Sequence, residues 1–117
     1  MAALFAFSAC LSCKDIDLPE KPDKVIENAP GTLYYSKDIK RWCIRRPFPG
    51  TIDSVDNYII VKIPDKKFHF EEGKEVFVSG FCYYIPFDEF KYNKDLYGLG
   101  GLEWYYIKVT DIKYKEK

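Results

Sequence analysis

The sequence contains few of the residues that catalytic and metal sites usually need. It has one histidine and one methionine among 117 residues, and its 18 basic residues are balanced by 18 acidic ones. A zinc site takes three or four closely spaced ligands, which His69 and scattered cysteines do not supply. The zero net charge removes the broad electrostatic argument for a nucleic-acid partner. We therefore predict a protein that is not an enzyme and has no metal, no cofactor and no nucleic-acid partner.

Long apolar runs and helical periodicity are also missing. The apolar run at residues 2–9 is shorter than the roughly 20 residues that a membrane-spanning helix needs. Aromatic residues are plentiful instead, at 18% of the chain, and they favour β-strands. Residues 14–30 carry three prolines and many charges, which predicts a disordered tether. Residues 113–117 are expected to form a polar tail.

The remaining residues, 31–112, show the alternation of β-strands between short turns. Strands are predicted at residues 32–35, 39–46, 58–63, 75–85 and 103–112, with a polar turn at 53–57 and a long loop at 86–102. A glycine in mid-strand, Gly80, predicts a bulge or sharp bend of the kind that small barrels need. The pattern therefore predicts an all-β protein with a small five-stranded barrel that resembles the oligonucleotide/oligosaccharide-binding (OB) barrel. A two-sheet β-sandwich is the alternative.

The first thirteen residues indicate export. Residues 2–9 form a short apolar segment that ends in small residues before Cys10, Leu11, Ser12 and Cys13, and no Lys or Arg precedes them. We interpret this segment as the remnant of a secretory signal peptide. Small residues directly before a cysteine resemble the lipobox of bacterial lipoproteins, in which the cysteine carries the lipid. Cys13 is favoured and Cys10 is the alternative, because residues 14–17 (KDID) resemble the acidic tract that follows the lipid cysteine in surface-exposed lipoproteins of Bacteroidetes-type bacteria.

The domain itself also resembles small lipoproteins of this type. The resemblance runs through GTIDSVDNYIIVKIP, FEEGKEVFVSG and YYIKVTDI and covers roughly residues 31–112. Those proteins have no assigned function, so the resemblance implies a location and no activity. We expect an exported outer-membrane or periplasmic lipoprotein that reaches the membrane through its N-terminal lipid. Its predicted role is a binding or accessory module with a protein or glycan partner. The alternatives are a carbohydrate-binding module of a glycan-uptake system and an enzyme that the sequence does not reveal.

The two cysteines of the domain, Cys43 and Cys82, are candidates for a disulfide in an oxidising compartment. Strand parity argues against the bond, since Cys43 points away from Trp42 and Ile44 while Cys82 shares a face with Val76 and Val78. A bulge at Gly80 that reversed the parity of Cys82 would restore it.

The best candidates for an exposed binding surface are aromatic: Tyr83, Tyr84, Trp104 and Tyr106. Exposed aromatic patches bind glycans or proteins, and packing beneath the 86–102 loop is the alternative for these side chains. Three other patterns have plain explanations. Asp53, Asp56 and Asn57 do not have EF-hand spacing and are predicted to form a turn. The glycines near residue 100 lack the context of a phosphate loop. The Arg-rich strand around Trp42 is expected to be a solvated face over a core tryptophan.

Overall fold

The computed structural model describes residues 16–47, 54–97 and 102–115. It has five strands, β1 (Lys24–Ser36), β2 (Arg41–Pro47), β3 (Val55–Lys62), β4 (Glu75–Tyr84) and β5 (Leu102–Tyr114). Two short 3₁₀ turns, Phe87–Glu89 and Lys94–Tyr97, lie between β4 and β5, and the described residues contain no α-helix. The predicted all-β class is confirmed.

The strands close into a single barrel in the order β1-β2-β3-β5-β4, with β1 pairing to both β2 and β4. Neighbouring strands are antiparallel except β3 and β5, which run parallel. Closure leaves no sheet edge open and excludes the two-sheet sandwich. The predicted OB-like barrel is therefore confirmed.

The barrel interior is filled by one face of every strand. Alternation along each strand sends every second side chain inward, and the interior cluster consists of Ile26, Ala29, Leu33, Ile44, Tyr58, Ile60, Val76, Val78, Cys82, Ile107 and Val109. At one end of the barrel the interior is closed by aromatic rings from the connection between β3 and β4. The ring of Phe70 stacks on that of Trp42 with 5.1 Å between the ring centres, and the ring of Phe68 stacks on that of Tyr114 with 5.2 Å between the ring centres. This connection contains no strand.

A second apolar cluster lies outside the barrel wall. It consists of Ile39, Cys43, Ile59, Tyr83, Ile85, Phe90, Tyr97, Trp104 and Tyr106, and we call it the outer cluster. Its floor is the outer face of β2, β3 and the first half of β5. Its cover comes from the segment at residues 85–97, which the long loop between β4 and β5 supplies. The protein therefore has two apolar layers on β2 and β3, one on each face of the same wall.

Gly80 lies at a close crossing of β4 and β5. The β4–β5 register shifts between Ser79 and Gly80, and the extra residue belongs to β5, at Thr110. A Cβ atom at residue 80 would lie 2.5 Å from the carbonyl oxygen of Lys108. The predicted irregularity at Gly80 is confirmed, and glycine is needed there because the backbone of β5 occupies the space of a side chain.

Three predicted boundaries are wrong. The tether was predicted to extend to residue 30, but β1 begins at Lys24, and Ile16 and Leu18 already pack against the outer cluster. The polar tail was predicted from residue 113, but β5 continues to Tyr114 because its last residues pair with the start of β4. The turn at 53–57 was predicted from its polar residues, but β3 begins at Val55. Residues 1–15, including the predicted lipobox, lie outside the described residues.

Candidate functional site

A groove crosses the outer face of the barrel next to the outer cluster. Its floor is one continuous row of paired residues, in which Thr32 of β1 faces Arg45 of β2, Arg45 faces Asn57 of β3, and Asn57 faces Trp104 of β5. The groove is open to solvent and has a volume of about 500 Å³. Because the row runs across four strands, the groove lies roughly perpendicular to the strand direction.

One wall of the groove is apolar and comes from the β4–β5 connection. Leu96 and Leu102 line it together with Trp104. The indole Nε1–H of Trp104 donates a hydrogen bond of 3.1 Å to the carbonyl oxygen of Leu96, which holds the loop against β5. The opposite rim is formed by Glu72 and Gly73, and the amide of Gly73 donates a hydrogen bond of 2.8 Å to the Leu33 carbonyl. Hydrogen bonds to backbone carbonyl oxygens therefore position both sides of the groove.

The floor of the groove offers three kinds of polar group. Arg45 is exposed and supplies a guanidinium group with five N–H donors. Asn57 is buried in β3, and its Oδ1 accepts a hydrogen bond of 3.0 Å from the Tyr34 hydroxyl. Burial raises the pKa of Tyr34 well above the usual value for tyrosine, so the phenol stays neutral. The groove can therefore bind anionic or amide groups beside an apolar wall.

A second polar cluster lies inside the barrel at the end opposite the aromatic rings. Asp56 is only 3% exposed. Its carboxylate accepts hydrogen bonds from the Lys24 ammonium at 2.5 Å and from the Tyr58 hydroxyl at 2.9 Å. Arg46 donates a longer hydrogen bond, 3.4 Å, to the same hydroxyl. The Lys24 ammonium also lies 4.4 Å from the ring centre of Tyr105.

This cluster links three strands through partnered charges. Lys24 is the first residue of β1, Asp56 lies near the start of β3, and Arg46 lies near the end of β2. Burial raises the pKa of Tyr58 well above its usual value and that of Tyr105 to about 12, so both phenols stay protonated. We interpret the cluster as a polar fastening, a set of ion-pair and hydrogen-bond contacts that holds the three strands together at this end of the barrel. Sequence reasoning missed it because Asp56 was assigned to a solvated turn, and nothing in the local pattern marks a carboxylate that faces the barrel interior.

The four aromatic residues that were predicted to form an exposed binding surface do not form one. Tyr83, Trp104 and Tyr106 are buried in the outer cluster, beneath the β4–β5 connection. Tyr84 is the exception and is 41% exposed. The prediction of a four-residue binding patch is wrong, and the alternative, packing beneath the long loop, is confirmed for Tyr83, Trp104 and Tyr106. Trp104 alone reaches the candidate groove, as part of its wall.

The possible disulfide does not form, as strand parity indicated, since Cys43 and Cys82 are both free. Cys43 belongs to the outer cluster and Cys82 to the barrel interior, so the barrel wall separates them. The bulge at Gly80 does not reverse the parity of Cys82 because the extra residue is on β5. Burial raises the pKa of each thiol to about 12. A buried, protonated thiol is a poor nucleophile and a poor metal ligand.

The other sequence candidates are scattered. His69 is exposed on the β3–β4 connection, where its carbonyl oxygen accepts a hydrogen bond from the Tyr114 hydroxyl. Asp53 lies outside the described residues, as do residues 98–101 of the glycine-rich stretch. Trp42 points into the barrel while Arg45 points into the groove, so the Arg-rich strand does not combine stacking and phosphate binding on one face. Among residues 16–47, 54–97 and 102–115, no three His, Cys, Asp or Glu side chains are grouped to hold a metal ion.

Comparison with known proteins adds no assignment. The chain matches no protein-family model and no curated protein. Within the part of the chain that the structure describes, no helix is both long and apolar enough to cross a bilayer. The groove and the outer cluster are therefore the features from which a function can be inferred.

Proposed function

We propose that this protein is a non-catalytic binding module of the bacterial cell envelope, held at the outer membrane or in the periplasm by a lipid on Cys13. Cys10 is the alternative lipid site. The support for export and lipidation is the segment at residues 1–17, with its short apolar run, its small residues before a cysteine and its acidic continuation. The support for binding is the groove.

The observation that carries the binding role is the row Thr32, Arg45, Asn57 and Trp104. It places a permanent cation, a buried amide and an apolar wall side by side on a surface that strand pairing holds rigid. In OB barrels the face of the second and third strands, with the loop between the fourth and fifth, is a common ligand surface. The groove occupies that part of this barrel.

The ligand class that suits this groove best is a protein segment. A peptide offers carboxylate or carbonyl oxygens to Arg45 and Asn57, and it offers apolar side chains to Leu96 and Leu102. The carbohydrate alternative rested on exposed aromatic rings, and three of the four predicted rings are buried. It has lost most of its support and becomes one outcome of the binding test.

Lipidation is tested first, by labelling cells with a fatty-acid analogue and measuring its incorporation into the full chain. We expect labelling that globomycin blocks and that Cys13→Ser abolishes. Labelling that survives Cys13→Ser and disappears with Cys10→Ser would move the anchor to Cys10. No labelling of the native chain would remove the membrane part of the proposal.

Binding is tested by photo-cross-linking in intact cells. A photoreactive residue at Thr32 lies on the groove floor, and one at Thr110, which is exposed and does not line the groove, is the matched control. We expect a discrete protein adduct at position 32 that is lost when Arg45→Glu is added. Adducts of equal yield at both positions would show that the groove is not the binding surface. Saccharide binding that Arg45→Glu abolishes would favour the carbohydrate alternative instead.

A further inference from the structure

The residues that lead into the barrel are attached to it rather than free. Ile16 and Leu18 are half-buried against the outer cluster, and the intervening Asp17 is exposed. At the other end of this segment, Asp23 makes two hydrogen bonds with β4: its amide donates to the Cys82 carbonyl at 2.8 Å, and its Oδ2 accepts from the amide of Tyr84 at 2.7 Å. We call residues 16–24 the strap.

The strap ends at Lys24, whose ammonium reaches Asp56 inside the barrel end at 2.5 Å. It is therefore fastened by apolar packing at its start, by backbone hydrogen bonds near its end and by an ion pair at its last residue. A free tether of the same length would have an average reach of about 16 Å between its ends, whereas this one follows the surface of the domain. The strap therefore fixes where the chain leaves the barrel.

The exit point lies very near the proposed anchor. Only Lys14 and Asp15 separate Ile16 from Cys13, and the three residue steps between them span at most about 11 Å when fully extended. A lipid on Cys13 therefore leaves no room to lift the barrel clear of the bilayer. Resting on the lipidation of Cys13 proposed above, we infer that the barrel lies directly on the membrane surface, with the side that carries the outer cluster and its covering loop turned toward the lipid headgroups.

A feature of the covering loop independently fits this orientation. Phe87 is 51% exposed, although its ring packs edge-on against Tyr97, a member of the outer cluster. The Lys94 ammonium lies 4.6 Å from the centre of the Phe87 ring and donates a hydrogen bond of 2.7 Å to the Phe87 carbonyl oxygen. An exposed aromatic ring beside an ammonium on a long apolar stem suits the boundary between headgroups and acyl chains.

The orientation also constrains the ligand. The groove shares Trp104 and Leu96 with the membrane-facing side, so it opens beside the bilayer rather than above it. The partner expected there is a protein segment that lies close to the same membrane. The opposite wall, where Val78 and Ile112 point inward and Asp111 points outward, faces away from the lipid.

The orientation is tested with the full, lipidated chain in liposomes that contain an acceptor dye on the lipid headgroups. A donor dye is attached at Lys91→Cys on the covering loop or, as the matched control, at Asp111→Cys on the opposite wall. Both positions are exposed, and the native Cys43 and Cys82 are fully buried and do not compete for the dye. Lys91 lies on the membrane-facing loop and Asp111 on the opposite wall, so we expect energy transfer from Lys91→Cys to be more efficient than from Asp111→Cys.

The role of the strap is tested by adding Ile16→Ser and Leu18→Ser to each dye variant. These changes free the strap start and leave up to ten residues between Cys13 and Lys24, so the difference between the two dye positions should disappear. Trp fluorescence of Trp42 and Trp104 checks that the barrel stays folded. A difference that persists would show that something other than the strap sets the orientation.

The outcomes separate this inference from the proposed function. A chain without a lipid mass that does not float with liposomes would contradict the proposed anchoring. A lipidated chain that floats, yet shows equal transfer from both positions or higher transfer from Asp111→Cys, would overturn the orientation and leave the anchoring intact.

Discussion

Replacing Gly80 with alanine should be among the most damaging single-methyl changes in this barrel. The added Cβ would lie 2.5 Å from the Lys108 carbonyl oxygen, 3.0 Å from the Ile107 side chain and 3.1 Å from the Val109 Cα. Ordinary contact begins at 3.4 Å, so the backbone of β5 would have to move by about 0.9 Å (3.4 minus 2.5) at its closest point. The obstructing atom belongs to the backbone, and no rotamer change relieves the clash.

The expected loss of stability follows from two terms. Overpacking of a tight core costs about 1–3 kcal/mol, and weakening one or two β4–β5 hydrogen bonds adds about 1 kcal/mol. We expect Gly80→Ala to lower the free energy of unfolding by about 3 kcal/mol, which corresponds to a fall in Tm of about 10–20 °C for a domain of this size. Urea denaturation followed by Trp fluorescence measures the free energy, since Trp42 reports on the interior and Trp104 on the outer cluster.

Gly73→Ala is the matched control. Gly73 has a φ of +83°, and a Cβ added there meets nothing within 4 Å. It should therefore cost about 1 kcal/mol, from left-handed backbone strain alone. If Gly80→Ala cost no more than Gly73→Ala, the close crossing of β4 and β5 and the reasoning built on it would be refuted.

Three further predictions concern the polar fastening, the thiols and the covering loop. Lys24→Met should lower the free energy of unfolding by about 2 kcal/mol, because Asp56 loses its ion pair while Lys24 itself is 31% exposed. Adding Asp56→Asn to this variant should recover part of that loss. If the effects of the two substitutions simply add in a double-mutant cycle, the result would count against an energetic coupling between Lys24 and Asp56. Cys43 and Cys82 stay protonated in the folded state up to about pH 12, whereas in the unfolded state they ionise near pH 9. The contribution of the protonated thiols to the free energy of unfolding is therefore complete below about pH 9. It is lost as the pH rises toward 12, with a loss of about 2 kcal/mol per thiol at pH 10.5. A Cys43→Ala variant whose free energy of unfolding falls with pH as steeply as that of the native chain would contradict this prediction. Trp104→Phe should remove the hydrogen bond that holds the covering loop and speed hydrogen exchange there with little change in β2, at a cost of about 1 kcal/mol; unchanged exchange in the loop would show that packing alone holds it.

Much of the barrel could be predicted because alternation is a local property. Strand parity correctly separated Trp42 and Ile44, which face the barrel interior, from Cys43, which belongs to the outer cluster. Mid-strand glycine at position 80 correctly indicated an irregularity, because few other features explain a residue without a side chain in a long strand. These predictions required only the two-residue period of a strand and the residue types along it.

The candidate site could not be predicted in the same way. The predicted aromatic surface failed because exposure depends on where the β4–β5 loop lies, and no residue of the loop reveals that it covers Trp104 and Tyr106. Asp56 was misassigned for a related reason, since an isolated carboxylate in a polar stretch is most often solvated. Only its contact with Lys24, 32 residues earlier in the chain, shows that it is buried and paired.

The sequence by itself determined the class of the fold, which side chains of a strand share a face and the position of the main irregularity, because each depends on neighbours within a few residues. The tertiary structure decided what lies over the outer wall, which residues share the groove and whether the cysteines meet, because each depends on segments that are distant in sequence. The tertiary structure also decided that the predicted tether is attached to the domain as the strap, because Ile16 and Leu18 pack against an apolar surface that exists only once the barrel has closed.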